Sequence, residues 1–335
     1  MKKFLIVLLK IGIPITILAY LFWDASNDDA YEALKARHRE FGFDWGLLTA
    51  AWLCCAAAVL TTLVRWYFLV RTLEIPFSLR EALRVGFMGY LFNLAPMGIV
   101  GGDLLKAVML ARRQQERRAQ AFATVAADRA IGLYMLFVVA SVAILLTGFF
   151  RHHVASIRFI SWGTLGLTVL ATGGIVALFT PGATRGKVTG YLGNMRHVGP
   201  SVEHLIDAMR MYRRKVHVLF IAAIMSIGVH SLFTVGIYLI TRGLYGDVPG
   251  FSLETQFIVA PLSAATGVIP LVMGPFEVVL TFLYEQVFAM KESEGLVVAL
   301  AYRLVTVLIA AVGVCYYLAS RQEVAQVMQE AEREQ

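Results

Sequence analysis

The sequence is poor in charge. Only 16% of its 335 residues are Asp, Glu, Lys or Arg, where a soluble chain carries roughly 25%. With 58% hydrophobic residues, that deficit excludes a soluble domain and places the chain in a bilayer. Cysteine is scarce too. Cys54, Cys55 and Cys315 all fall in apolar runs, and neighbouring Cys54 and Cys55 point to different helix faces. A disulfide framework is excluded, and the three read as small packing residues rather than metal ligands. No HExxH, CxxC pair, GxSxG or Walker motif occurs. "GIVGGD" follows no strand and is not a dinucleotide fingerprint. No polar stretch could house a nucleotide-hydrolysing domain, since the longest covers 181–215. The expectation is a protein without a cofactor, a metal or an enzymatic activity of its own.

What the chain has instead is long apolar runs. Six are clean and about 20 residues long, enough to cross a bilayer: Phe4–Phe22, Trp45–Val64, Ile131–Phe150, Phe159–Phe179, Val216–Ile240 and Leu296–Ala319. The first follows Met1-Lys2-Lys3, but no small-residue cleavage pattern comes after it, so it reads as a retained anchor. Two further stretches, about 83–111 and 255–289, are interrupted by Gly and Pro.

Charge sets the expected orientation. With the N-terminus in the cytoplasm, 19 of the 30 Lys and Arg fall on the inner side, Arg65 among them. Seven fall outside, and Lys10, Lys106, Arg129 and Arg303 remain within apolar runs. This follows the positive-inside rule and places both termini in the cytoplasm of an inner-membrane protein. The net charge of +7 is then a topology signal and an attraction for anionic lipid heads. The basic residues are scattered around membrane ends, which gives no support for nucleic acid as a partner. The loop 181–215 is expected to carry an amphipathic helix at "VEHLIDAMRMYRR", lying on the inner leaflet.

The broken stretches share a spacing. "NLAPMGIVGGD" ends in Asp103 and "GVIPLVMGPFE" ends in Glu277. One constant offset in numbering carries Pro96 to Pro270, Asp103 to Glu277 and Arg129 to Arg303. The offset predicts an internal repeat, about 44–150 and 216–320, within one membrane domain. An odd number of spans separates the copies, so they should be inverted. Each unit reads as a helix, a re-entrant broken segment, and a helix with an embedded Arg. Backbone groups freed by Pro and Gly cannot be left against lipid, so such breaks point to a polar site near the midplane. A helix opening at Gly101-Gly102-Asp103 would also offer N–H donors to an anion.

An unpaired Arg at such depth costs at least ~2.5–3.5 kcal/mol. Asp103 is the expected partner of Arg129, and Glu277 of Arg303. These pairs are either locks that pin the broken segments or part of a substrate site, and an Arg held by one carboxylate keeps donors for a phosphate. Asp128 should face Lys106 or solvent, and His230 should be a packed, hydrogen-bonded residue. The candidate site is Asn93, Gly101, Gly102, Asp103, Arg129, Glu277 and Arg303, with Pro96, Pro270 and Gly274 as the structural breaks.

"NLAPMGIVGGDLLKAVML", a basic cluster and then "ATVAADRAIGL" resemble the transmembrane region of lysylphosphatidylglycerol synthases, the flippase-like family. Pro270, Gly274 and Glu277, followed by Arg303, fit its C-terminal motif. The resemblance covers nearly the whole chain. It implies an all-α integral membrane protein, here with six full spans and two opposed re-entrant segments, that translocates a phospholipid or another phosphate-bearing lipid. Full-length synthases continue into a soluble aminoacyl transferase domain, whereas this sequence ends at Gln335, shortly after its last span, so synthesis of the lysyl lipid is not expected. The expected partners are anionic or phosphate-bearing membrane lipids, and a second copy of the chain or a lipid-synthesis enzyme. Rival readings are a membrane enzyme acting on lipid-linked substrates, and a non-transporting partner of a lipid synthase.

Overall fold

Within a bilayer each spanning segment must satisfy its own backbone, so an apolar run continues as helix until it reaches water or a cap. The structure, a computed structural model, describes residues 42–94, 98–112, 117–179, 212, 215–269, 274–320 and 322, and these are helical apart from short connections. Among them are the α-helices α1 (Trp45–Thr72), α2 (Leu79–Asn93), α3 (Gly98–Arg112), α4 (Arg118–Thr147), α5 (Ala155–Phe179), α6 (Val216–Tyr245), α7 (Leu253–Ala265), α8 (Pro275–Phe288) and α9 (Glu292–Ala319). Five of the described helices, α1, α4, α5, α6 and α9, are long and apolar enough to cross a membrane. The chain is therefore a multi-pass, all-helical membrane protein. Phe4–Phe22, Pro96 and Pro270 fall outside the described residues. Of the segment expected to lie on the inner leaflet only Tyr212 is described, and it is buried, its hydroxyl donating to the Leu69 carbonyl of α1 at 2.8 Å.

Each broken stretch is two half-helices. Ser78 caps α2, accepting from the Glu81 N–H at 3.2 Å, while Glu81 Oε2 accepts from the Ser78 N–H at 3.0 Å. This is a reciprocal capping box. Ser252 caps α7 by accepting from the Thr255 N–H at 3.2 Å. The same offset that carries Asp103 to Glu277 carries Ser78 to Ser252, the start of α2 at Leu79 to that of α7 at Leu253, and the start of α4 at Arg118 to that of α9 at Glu292. The spacing read from Pro, acid and Arg thus recurs in helix boundaries and in a capping residue.

The half-helices fold back on one another. A Cβ at Gly102 in α3 would fall 2.0 Å from the Gly89 carbonyl oxygen of α2, so only glycine permits this approach. Across the second break, Phe251 meets Phe288 with ring centroids 4.7 Å apart.

The first halves then pack on the opposite half of the chain. α2 lies against α9, where a Cβ at Gly313 would fall 2.4 Å from the Phe87 carbonyl oxygen, and α7 lies against α4. α1 and α6 run antiparallel along their length. Asp44 N–H donates to the Gly243 carbonyl at 3.1 Å at one end, and Lys215 Nζ donates to the Thr72 carbonyl at 2.6 Å at the other. α5 stands at the side, tied to α4 through Ser141–Thr168 at 2.7 Å and Tyr134–Thr172 at 2.9 Å. Buried clusters fill the space between: Trp66, Val85, Met88, Leu105 and Met109 join α1, α2 and α3, while Ile237, Val259, Leu280, Tyr284 and Val298 join α6 to α9.

Candidate functional site

α3 opens at Gly98 and not at Gly101 as expected, because the helix continues about a turn further back toward the break. Gly101, Gly102 and Asp103 therefore lie in its second turn, and Asp103 does not stand at the helix start. Gly102 is buried against Asn93, whose Oδ1 is enclosed and has no hydrogen-bond partner among the described residues. Asp103 points to α4. Arg129 donates through Nε to Asp103 Oδ2 and through Nη2 to Oδ1 at 2.9 Å, a two-point fork. Lys106, one turn along α3, places Nζ 3.5 Å from the same Oδ1. One carboxylate thus serves two cations. The Asp103 side chain is 15% exposed and Lys106 6%, but Arg129 keeps 48% of its side-chain surface open. No hydrogen bond among the described residues uses Arg129 Nη1.

The second pair has the same spacing and a different fit. Gly274 adopts φ 106°, a conformation that favours glycine, and Pro275 opens α8. Glu277 Oε2 reaches back to accept from the Gly274 N–H at 2.8 Å, while Oε1 accepts from Arg303 Nε at 2.8 Å and Nη2 at 2.5 Å. Glu277 is 0% exposed and the Arg303 side chain 17%. This carboxylate caps a half-helix and anchors it to α9 at once. No hydrogen bond or ion pair joins the two arginine pairs among the described residues. Tyr90 of α2 packs in one hydrophobic cluster with Tyr302, the chain neighbour of Arg303, so the first hairpin borders the second pair.

A third polar cluster carries little signal in the sequence. Arg65 does not lie in an inner-side connection. α1 continues past Val64 to Thr72 and carries Arg65 into the bundle, where its side chain is 5% exposed. It donates through Nε to Asp128 Oδ1 at 2.8 Å, through Nη2 to the Asp128 carbonyl at 3.3 Å and through Nη1 to Ser226 Oγ at 2.5 Å. Asp128, expected to face Lys106 or solvent, is therefore the partner of Arg65. It turns away from Arg129 because adjacent residues project from different sides of a helix. His230 Nε2 lies 2.8 Å from the Gly132 carbonyl oxygen, a packed and hydrogen-bonded residue as expected. The contact of Lys106 with Asp103 is foreshadowed by their i, i+3 spacing, whereas Arg65 and Asp128 are 63 residues apart and no local pattern links them.

One open depression lies elsewhere, where α1 begins and α6 ends, lined by Asp44, Trp45, Arg242 and Asp247. It holds none of the embedded ion pairs, and Arg242 there already pairs with Asp247 at 2.6 Å. Asp103 and Glu277 hold fixed charge beside the two helix breaks.

The comparison with known families finds one that these features fit. Residues 7–313 match the family described as the lysylphosphatidylglycerol synthase TM region. No curated protein and no solved structure matches the chain. Spanning nearly the whole sequence, that match shows that the chain belongs to the lysylphosphatidylglycerol synthase transmembrane-region family.

Proposed function

We propose that this protein moves a phosphate-bearing lipid between the leaflets of the inner membrane, without covalent chemistry of its own. The observation that carries the reading is Arg129. It sits well inside a 30-residue apolar helix, half open, with two of its donors fixed by Asp103 and Nη1 left over. Fixed by its carboxylate, the guanidinium is already oriented and loses little further freedom on gripping a phosphate oxygen.

The two hairpins read as re-entrant segments entering from opposite faces, and the halves as an inverted repeat. The shared offset, the antiparallel α1 and α6, and the exchange of α2 onto α9 and α7 onto α4 support this. In such an arrangement one half rocks against the other around a fixed midplane site while the lipid tails stay in the bilayer. Arg129 meets the phosphate first because it is the more open of the two arginines. Arg303 meets it after the halves shift. Charge bias sets both termini on the cytoplasmic side.

The Glu277 geometry favours a second role for that pair. With Oε2 holding the start of α8 and Oε1 holding Arg303, the second pair is a lock as well as a neighbour of the path.

Purified protein in liposomes, with no nucleotide and no other protein, tests the proposal. Fluorescent phospholipids placed in one leaflet should equilibrate faster than in empty liposomes. Equal rates with and without folded protein would overturn it. A chemically altered lipid in the same sample would favour a membrane enzyme instead.

A further inference from the structure

The charges around the first hairpin do not balance. Asp103 is shared by Arg129 and Lys106. The nearest other carboxylate, Asp128, is occupied by Arg65. This connected set of described residues holds three cations, Arg65, Lys106 and Arg129, and two anions, Asp103 and Asp128. The surplus is one positive charge. The second embedded pair contributes none, since Glu277 and Arg303 cancel.

The surplus falls on Lys106. Its side chain is buried, and its one ion-pair contact among the described residues is the longer of the two on Asp103. The Trp66 ring, with its centroid 5.6 Å from Nζ, compensates it weakly. The chain makes room for this cation: a Cβ at Gly89 would lie 2.7 Å from Lys106 Cε. A buried surplus cation becomes neutral by losing its proton or by gaining an anion. Arg129, half open beside it, provides the opening through which an anion can come.

We propose that the site selects a head group of one net negative charge, a single phosphodiester with no amine, and that Lys106 sets this selectivity. Such a head brings the surplus to zero. A zwitterionic phosphoethanolamine head carries its own ammonium into a field that is already positive. A lysyl-bearing head carries still more positive charge and is disfavoured further. The cargo of this chain is then an anionic phosphodiester lipid and not the aminoacylated lipid of the family's name. The inference rests on the reading that Arg129 meets the lipid phosphate, but it concerns binding and needs no transport to be tested.

Native mass spectrometry of the detergent-purified protein provides the test, with equal amounts of phosphatidylglycerol, phosphatidylethanolamine and lysylphosphatidylglycerol in competition. Wild type should retain phosphatidylglycerol over each of the others by at least about tenfold. Lys106→Met should bring that preference to within about twofold, and Lys106→Arg, which keeps the charge, should preserve it. Basic residues at the membrane ends would give a preference that survives Lys106→Met, so that outcome overturns the assignment, as does equal binding by wild type. If Lys106→Met does not fold, Lys106→Gln takes its place. If neither folds, the proposal stands or falls on the wild-type ratio and its retention in Lys106→Arg. Tail-less glycerophosphoglycerol tells a lipid site from a site for the free head: displacement of the bound lipid at equal concentration would show that the head alone is the ligand. Selective binding without flux in liposomes would end the translocation reading and leave this one intact. Flux with no head-group preference would do the reverse.

Discussion

Asp103 and Glu277 each stand 26 residues before their arginine and hold it through Nε and Nη2, yet they leave those arginines different freedom. Removing Arg303 strands a carboxylate that is fully enclosed. Arg303→Met should therefore cost about 3–5 kcal/mol of stability, the range for a broken buried pair. Removing Arg129 leaves Asp103 with Lys106, and the lost side chain was 48% exposed. Arg129→Met should cost less than Arg303→Met, because Asp103 keeps Lys106 as a cationic partner whereas Glu277 keeps none among the described residues. Thermal unfolding of the two variants in detergent should separate them clearly, and equal losses would contradict the asymmetry. Arg65 belongs with Arg303. Arg65→Met leaves Asp128 buried without its partner and should lower the folded yield. An Arg65→Met/Asp128→Leu double variant should recover part of that loss, because an apolar pair has no unpaired charge to desolvate.

The two hairpins are elements that Pro and Gly announce in the sequence. The breaks between α2 and α3 and between α7 and α8, and the turn at Gly274, are legible because Pro and Gly have few conformational roles inside an apolar run. The partners of Asp103 and Glu277 are legible because an embedded Arg has few ways to be satisfied. The contact of Gly89 with Gly102 is not. Gly89 sits in an ordinary apolar helix pattern, and its role depends on a backbone approaching from beyond the break. Helix ends are also hidden, because hydropathy marks the apolar core of a helix while caps mark its ends. α1 runs to Thr72 through Arg65, and a charge at the edge of an apolar run reads as a boundary unless its partner is known. Gly102→Ala should push α3 away from α2, since the Gly89 carbonyl is backbone and cannot swing aside. Single cysteines at Gly101 and Gly274, in a background without Cys54, Cys55 and Cys315, should react with small water-soluble thiol reagents. Each lies within about a turn of a break whose freed backbone groups need polar surroundings. Inert cysteines in folded protein at both sites would argue for packed spans.

At the scale of the molecule, the proposed arrangement is two halves that repeat at one offset and face opposite ways. If α1 and α6 are the paired first helices of inverted halves, their antiparallel contact follows directly, and so does the reciprocal exchange of α2 and α7. Orientation can be checked in intact cells. Externally added thiol reagent should label a cysteine at Ser156 and fail to label one at Gln114 or Thr189. The opposite pattern would invert the topology. The central claim is that the embedded arginines grip a lipid phosphate during its passage, and one measurement tests it most directly. The Arg129→Lys/Arg303→Lys double variant keeps both charges and both ion-pair partners but loses the planar fork. In liposomes with labelled phosphatidylglycerol, folded wild type should move lipid between leaflets, and the folded double variant should move it at least about tenfold more slowly. Wild-type flux through a well-folded double variant would contradict that claim and leave the ion pairs as locks on the two hairpins.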